Sequence, residues 1–172
     1  KTAYEIKECD WSSDVCSSDL SVQAIVFTHG HADHLFGLDD TRICIHHNDQ
    51  PMPLFCEEST EHNIRSAFGY AFKEHPPEAL KGAIPKFDLR RIGEEPFEVC
   101  GQHVQPLRLL HGRLPVLGFR INNVAFCTDV SYVPDVTWPL LQNLDVLIID
   151  ALRDEPHPTH LAVFQALEVI GR

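Results

Sequence analysis

Apolar residues in this chain fall into short runs separated by polar, Gly-containing or Pro-containing stretches, the rhythm of alternating strands and helices. Gln23–Thr28, apolar from Ala24 to Phe27, predicts a strand. His34–Leu38 predicts a short helix ended by Asp39-Asp40, and Arg42–His46 a second strand. Met52–Phe72 carries Pro at its start and a loosely helical spacing at Ile64, Ala67, Phe68 and Ala71. Glu74 to Pro85 is Pro-rich and predicts an exposed connection. Strand-like runs follow at Phe87–Ile92, Phe97–Cys100, Val104–Leu110, Leu117–Ile121 and Val124–Cys127, with Asn122-Asn123 as a hairpin turn between the last two. Trp138–Leu144 predicts a short helix. Val146–Ile149 is wholly apolar and predicts a strand buried on both faces. Thr159 is a good N-cap for a final helix, Leu161–Ile170, with apolar residues at Leu161, Phe164, Leu167 and Val169-Ile170. There is no internal repeat. Mixed strands and helices of these lengths predict an α/β sandwich, its sheets packed together and its helices outside.

The pattern begins only after residue 20. Lys1 to Leu20 (KTAYEIKECDWSSDVCSSDL) is Ser- and Asp-rich with no apolar period, so it is expected to be poorly ordered. Asp10–Leu20 and Lys1–Ile6 also match, in frame, the translation of the two constant parts of a common sequencing-library adapter. We therefore expect residues 1–20 to be non-native; recovery of the same stretch from source DNA would end that idea. The segment is no signal peptide, because no apolar stretch follows its charged start.

Residues 21–172 suit one domain with a sizeable core. The formal net charge of −11, from 14 basic and 25 acidic side chains, disfavours nucleic-acid or anionic-membrane partners. No apolar run reaches membrane-spanning length. The six cysteines show no C-x-x-C spacing, which fits a reducing cytoplasm better than a disulfide framework. Cys44, Cys100 and Cys127 sit in apolar runs and are expected as buried thiols.

The chemistry is concentrated where the first strand ends. Thr28 to His34 reads THGHADH, placing three histidines and an aspartate within six positions. Imidazole and carboxylate suit Zn²⁺, Mn²⁺ or Fe²⁺. In extended chain His29 and His31 point to the same side, and Asp33 and His34 can face a second position, so one loop can hold two adjacent metals. Further ligands should sit at later strand ends. His111 follows Leu107–Leu110, and Asp129 follows Val124–Thr128; each is the kind of strand-end polar residue that gathers at active sites.

The H-x-H-x-D-H run resembles the motif of the metallo-β-lactamase-fold family of metal-dependent hydrolases. His111–Ile121 (HGRLPVLGFRI) and Asp150–His160 (DALRDEPHPTH) resemble its phosphoribosyl cyclic phosphodiesterase branch, whose members are similar to PhnP. The similarity runs over most of Ser21–Arg172. It implies an αββα sandwich, here truncated at both ends, with two divalent metal ions, Zn²⁺ or Mn²⁺ with Fe²⁺ also allowed. His29, His31 and His111 would hold one ion, Asp33 and His34 the other, and Asp129 would bridge them. Asp33 would also orient the attacking hydroxide. His160 would be the general acid; a ligand and a helix-start residue with no catalytic role are the alternatives. Arg153 is the candidate phosphate contact, against an exposed loop arginine. His157 is read as a loop residue, with substrate contact as the lesser reading. His46, His47, His62, His75 and His103 have no motif support.

The chain departs from that branch in three ways: it lacks the final ligand histidine, the strands before the first motif, and a Cys-rich structural zinc site. The resemblance therefore implies an internal piece of a larger cytoplasmic enzyme. Its expected partner is a small phosphodiester, cyclic on ribose, with no nucleic acid or membrane and with a homodimer allowed. A thioester, lactone or RNA-processing hydrolase of the same fold is the alternative, and an inactive metal-binding fragment is another.

Overall fold

The structure is a computed structural model that describes residues 22–42, 50–73 and 84–172. Expectations for residues 1–20, for most of Arg42–His46, for Cys44, His46, His47 and His75, and for most of Glu74–Pro85 lie outside the described residues.

Strands β1 (Ile25–Val26), β2 (Met52–Cys56) and β3 (Phe87–Arg91) form a parallel sheet in that order. Strands β4 (Phe97–Val99), β5 (Gln102–His111), β6 (Leu114–Ile121), β7 (Val124–Cys127) and β8 (Val146–Ile149) form a second sheet, also in chain order. Its pairs are antiparallel as far as β7, and β7 and β8 are parallel. Hence β5, β7 and β8 all point the same way, and their C-terminal ends lie along one edge.

Three apolar clusters define the layers. One packs α1 (Ala32–Leu35), α2 (Glu58–Ala67) and their flanks onto the first sheet through Leu35, Leu38, Leu54, Ile64 and Phe68. The second lies between the sheets, where Val104, Leu117 and Phe119 meet Val26, Ile92 and Phe97. The third places α3 (Val163–Ile170) against the second sheet through Leu107, Leu109, Val116, Ala125, Leu161 and Ala166. Helices, sheet, sheet and helix make the expected αββα order. Two polar links tie the sheets. The Leu117 N–H donates to the Thr28 carbonyl at 3.0 Å. Arg108 of β5 donates to both oxygens of Glu57, which follows β2, at 2.6 and 3.1 Å. Mid-strand Gly118 marks a tight spot, since a Cβ there would lie 2.8 Å from the Phe126 carbonyl oxygen and 2.9 Å from Leu109.

Several expectations are corrected. Met52–Cys56 is a strand, not helix: its residues are nearly all buried between neighbours on both edges, and the helix begins only at Glu58. The first helix starts at Ala32, two residues early, and continues as 3₁₀ turns through Asp39-Asp40 to Thr41. Arg42 is helical, not the start of a strand. The last helix starts at Val163, so Thr159 is not its cap; the Gln165 side chain instead accepts the Ala162 N–H at 2.9 Å. Pro85, expected in an exposed connection, is fully buried. Cys100 is exposed in a turn with φ 51°, while Cys56 and Cys127 are the buried thiols among the described cysteines. Strand β8 is not buried on both faces. Leu147 and Ile149 face the core, but Val146 and Ile148 are 47% and 46% exposed, because the three described strands of the first sheet do not cover that end of the second. Among the described residues no helix is long and apolar enough to cross a membrane.

Candidate metal centre

Four strand ends supply the site. The segment after β1 carries His29, His31, Asp33 and His34; β5 ends on His111; Asp129 lies just past β7, and Asp150 just past β8. The strand directions bring these ends to one edge. The loop after β1 is fixed from two sides. Thr28 and His29 pair through Oγ1 and Nδ1 at 3.0 Å. Asn63 of α2 donates to the Gly30 carbonyl at 3.1 Å.

The donor atoms converge in three overlapping groups, each with its atoms within 4.8 Å of one another: His29, His31 and His111; His29, His34 and Asp129; and His111, Asp129 and His160. The first is the trio expected for one ion. The second joins His34 to Asp129, with His34 Nε2 3.2 Å from an Asp129 oxygen. Asp129 belongs to two groups and lies between them. Its backbone is left-handed, φ 55°, a conformation that aspartate tolerates better than most residues. Asp33 stands at the margin. Its carboxylate is 3.6 Å from His34 Nε2, its side chain is 78% exposed, and it joins none of the three groups.

The site asks for a cation. His29 is buried, and its Nε2 has no hydrogen-bond partner, although buried polar atoms are nearly always satisfied. Desolvation, then the neighbouring His34 and His31, lower its pKa to about 4, so the ring is neutral near pH 7. With Nδ1 held by the Thr28 hydroxyl, Nε2 faces the space it shares with His31, His34 and His111, whose ring centroids lie 4.2–5.6 Å away. The Thr159 carbonyl accepts the His111 Nδ1–H at 2.7 Å, which leaves His111 Nε2 bare as well. These donors fit a divalent ion of the Zn²⁺, Mn²⁺ or Fe²⁺ type.

His160 sits beside this cluster, its ring centroid 4.6 Å from that of His111. The Asp150 carboxylate, only 10% exposed, accepts its Nδ1–H at 2.6 Å and also accepts the Val130 N–H at 3.2 Å. One carboxylate therefore orients His160 and holds the turn next to Asp129. Asp150 carried no role in the sequence reading. Its signal was the one that found His111 and Asp129: a polar residue closing an apolar strand run. Arg153 lies on the same loop, but its guanidinium donates to the Glu155 and Pro156 carbonyls at 3.2 and 3.0 Å, so it shapes the loop. His62 and His103 are not in the cluster.

Residues 17–172 match the model of the β-lactamase superfamily domain. The chain is 32% identical to a diphosphatase from the PhnP family, with a TM-score of 0.77 over 88% of this chain and 56% of that one. The metallo-β-lactamase fold protein YhfI from Bacillus subtilis superposes with a TM-score of 0.65 at 16% identity, covering 86% of this chain and 58% of that one. The short form of human tRNase Z gives 0.62 at 20% identity, covering 87% and 67%. A protein called octanoyltransferase, from Porphyromonas gingivalis, is 35% identical over 155 residues, which are 88% of this chain and 30% of that protein. The chain thus spans little more than half of the solved relatives it matches first, and under a third of the curated one. Sequence match and superposition agree with the layered fold, and the chain belongs to the β-lactamase superfamily domain family, in its metallo-β-lactamase fold.

Proposed function

We propose that this chain carries the centre of a metal-dependent phosphodiesterase that acts on a small phosphodiester, cyclic on ribose, with two divalent ions. The observation that carries the reading is the meeting of His29, His31, His34, His111 and Asp129 around the unpartnered His29 Nε2, with His160 beside them. The 32% identity to a PhnP-family diphosphatase supports phosphoryl chemistry over acyl chemistry. The octanoyltransferase name belongs to a whole protein of which the matched stretch is 30%. The net charge of −11 argues against a polyanionic RNA substrate and for a small molecule.

His29, His31 and His111 would hold one ion, His34 and Asp33 the other, and Asp129 would lie between. Bound there, the ions would lower the pKa of a water and draw negative charge from a phosphate oxygen. The remaining task is the proton. As water adds to phosphorus and the bond to the leaving oxygen breaks, that oxygen needs a proton. His160 presents Nε2 because Asp150 holds Nδ1–H, and a proton carried at Nε2 would pass to the leaving oxygen. Asp33, exposed beside His34, would orient the water.

His160 also shares a donor group with His111 and Asp129, which favours the ligand alternative for that residue, and one experiment separates the two. His31→Ala should lower metal content and turnover together. His160→Ala should keep its metal and lose about 10²–10⁴-fold in turnover, less for bis(p-nitrophenyl) phosphate than for a cyclic ribose phosphodiester with its poor leaving group. Loss of one ion per site in His160→Ala would make it a ligand. Turnover of a thioester with none of either phosphodiester would overturn the substrate class.

A further inference from the structure

The loop between Arg153 and Ala162 is closed at its neck. The Leu152 N–H donates to the Leu161 carbonyl at 2.9 Å, the Val163 N–H donates to the Arg153 carbonyl at 3.0 Å, and residues 153 and 162 form a parallel bridge. Within it, His157 Nδ1 accepts the Thr159 N–H at 3.3 Å and lies 3.2 Å from the Thr159 hydroxyl. A backbone N–H only donates, so Nδ1 is the bare nitrogen and the His157 proton is on Nε2. The acceptor is the side chain two residues before the donor, the spacing of an Asx turn with imidazole in place of the amide oxygen. The carbonyl of the same Thr159 accepts the His111 Nδ1–H at 2.7 Å. Gly112 allows the approach. A Cβ there would stand 2.9 Å from Thr159 Cγ2, and its φ of 65° suits glycine.

We infer that His157 is a positioning residue for His111: it fixes Thr159, whose carbonyl fixes the tautomer and aim of the His111 ring. His111 then keeps its proton on Nδ1 and its lone pair on Nε2, toward His29 and His31. The loop so acts on the cluster twice, directly through His160 and indirectly from His157. The inference rests on the reading of His111 as a metal ligand. A ligand imidazole is ordinarily oriented by a hydrogen bond at its other nitrogen, and loss of such a partner costs metal affinity. Here that partner is a main-chain carbonyl that no substitution removes, which leaves His157 as the side chain through which the arrangement can be broken.

The test compares His157→Ala with His157→Asn, since asparagine Oδ1 stands where Nδ1 stood and can accept the same N–H. Two readouts are needed: the His111 tautomer in the metal-free protein, from long-range ¹H–¹⁵N correlation spectra, and Zn²⁺ affinity by chelator competition. In the parent and in His157→Asn, His111 should show a single Nδ1–H tautomer and equal affinity. In His157→Ala it should show mixed tautomers and bind Zn²⁺ about 10- to 100-fold more weakly. Unchanged spectra and affinity in His157→Ala would overturn the coupling. So would equal losses in both variants, which would make the imidazole itself a ligand or contact. If the parent bound no Zn²⁺, the ligand reading of His111 would fall, and the tautomer comparison alone would still decide the link from His157.

Discussion

His29 is the residue on which the site turns. Its Nε2 is buried without a partner, and an orphaned buried polar atom costs roughly 1–3 kcal/mol. In the metal-free protein this imidazole is therefore a burden. His29→Leu fills similar space and removes the orphan. It also gives up the Thr28 bond at Nδ1, so we expect it to melt close to the parent in EDTA, and to lose the upward shift in melting temperature expected of the parent with Zn²⁺. Scanning calorimetry with and without the ion reads both effects. A large fall in the metal-free melt would show that the Thr28 bond at Nδ1 outweighs the orphan at Nε2. Asp150 teaches a second lesson at this scale. It closes the run Val146–Ile149 as His111 closes Leu107–Leu110, yet its partners, His160 and the Val130 N–H, are remote in sequence. Its strand-end position was legible, but what it orients was not.

Elements were legible where period and burial agree. The run Val124–Cys127 predicted β7 and Val146–Ile149 predicted β8 with their observed bounds. The failures came from tertiary context. Met52–Cys56 gains its strand form from two parallel neighbours, and nothing local announces such pairing. For β8 the residues were right and the burial wrong, since burial depends on the other sheet. The site followed the same division. The donors after β1 share one short loop and were readable, whereas the Asp150–His160 and Thr159–His111 bonds depend on loop closure. Helix α2 adds a testable link to the sheet. Arg91 of β3 and Arg65 both donate to Glu61. Arg91 first, then Arg65, hold its carboxyl below the ordinary value of 4.5. In the unfolded chain that carboxyl takes up its proton first as pH falls. The stabilisation is thus whole above pH 4.5 and is lost on further acidification through the lower, folded value. Glu61→Gln should lower the urea midpoint at pH 7, and its difference from the parent should shrink below pH 4.5; an equal deficit at both pH values would refute the linkage.

At the scale of the whole molecule the strands impose a polarity. The ends of β5, β7 and β8 that bear His111, Asp129 and Asp150 lie along one edge, and the turns at Cys100-Gly101 and Asn122-Asn123, where β5 and β7 begin, lie along the other. The strand-end donors and the Cys100-Gly101 turn are separated by the length of the second sheet, while the Gly112-Arg113 turn shares the donors' edge. Among the described cysteines the accessible thiol is Cys100, on the far edge, while burial pushes Cys56 up to about 11 and Cys127 up to about 12. With Cys9, Cys16 and Cys44 exchanged for serine, a maleimide dye at pH 7 should modify the folded protein at Cys100 alone and leave Zn²⁺ uptake unchanged. Peptide mapping and the metal titration would show it, and a labelled protein with weakened uptake would contradict the separation. The molecule thus comes with a handle opposite its working edge. It can be tethered to a surface, or carry a fluorophore that reports tumbling, with the histidine–aspartate cluster still facing solution.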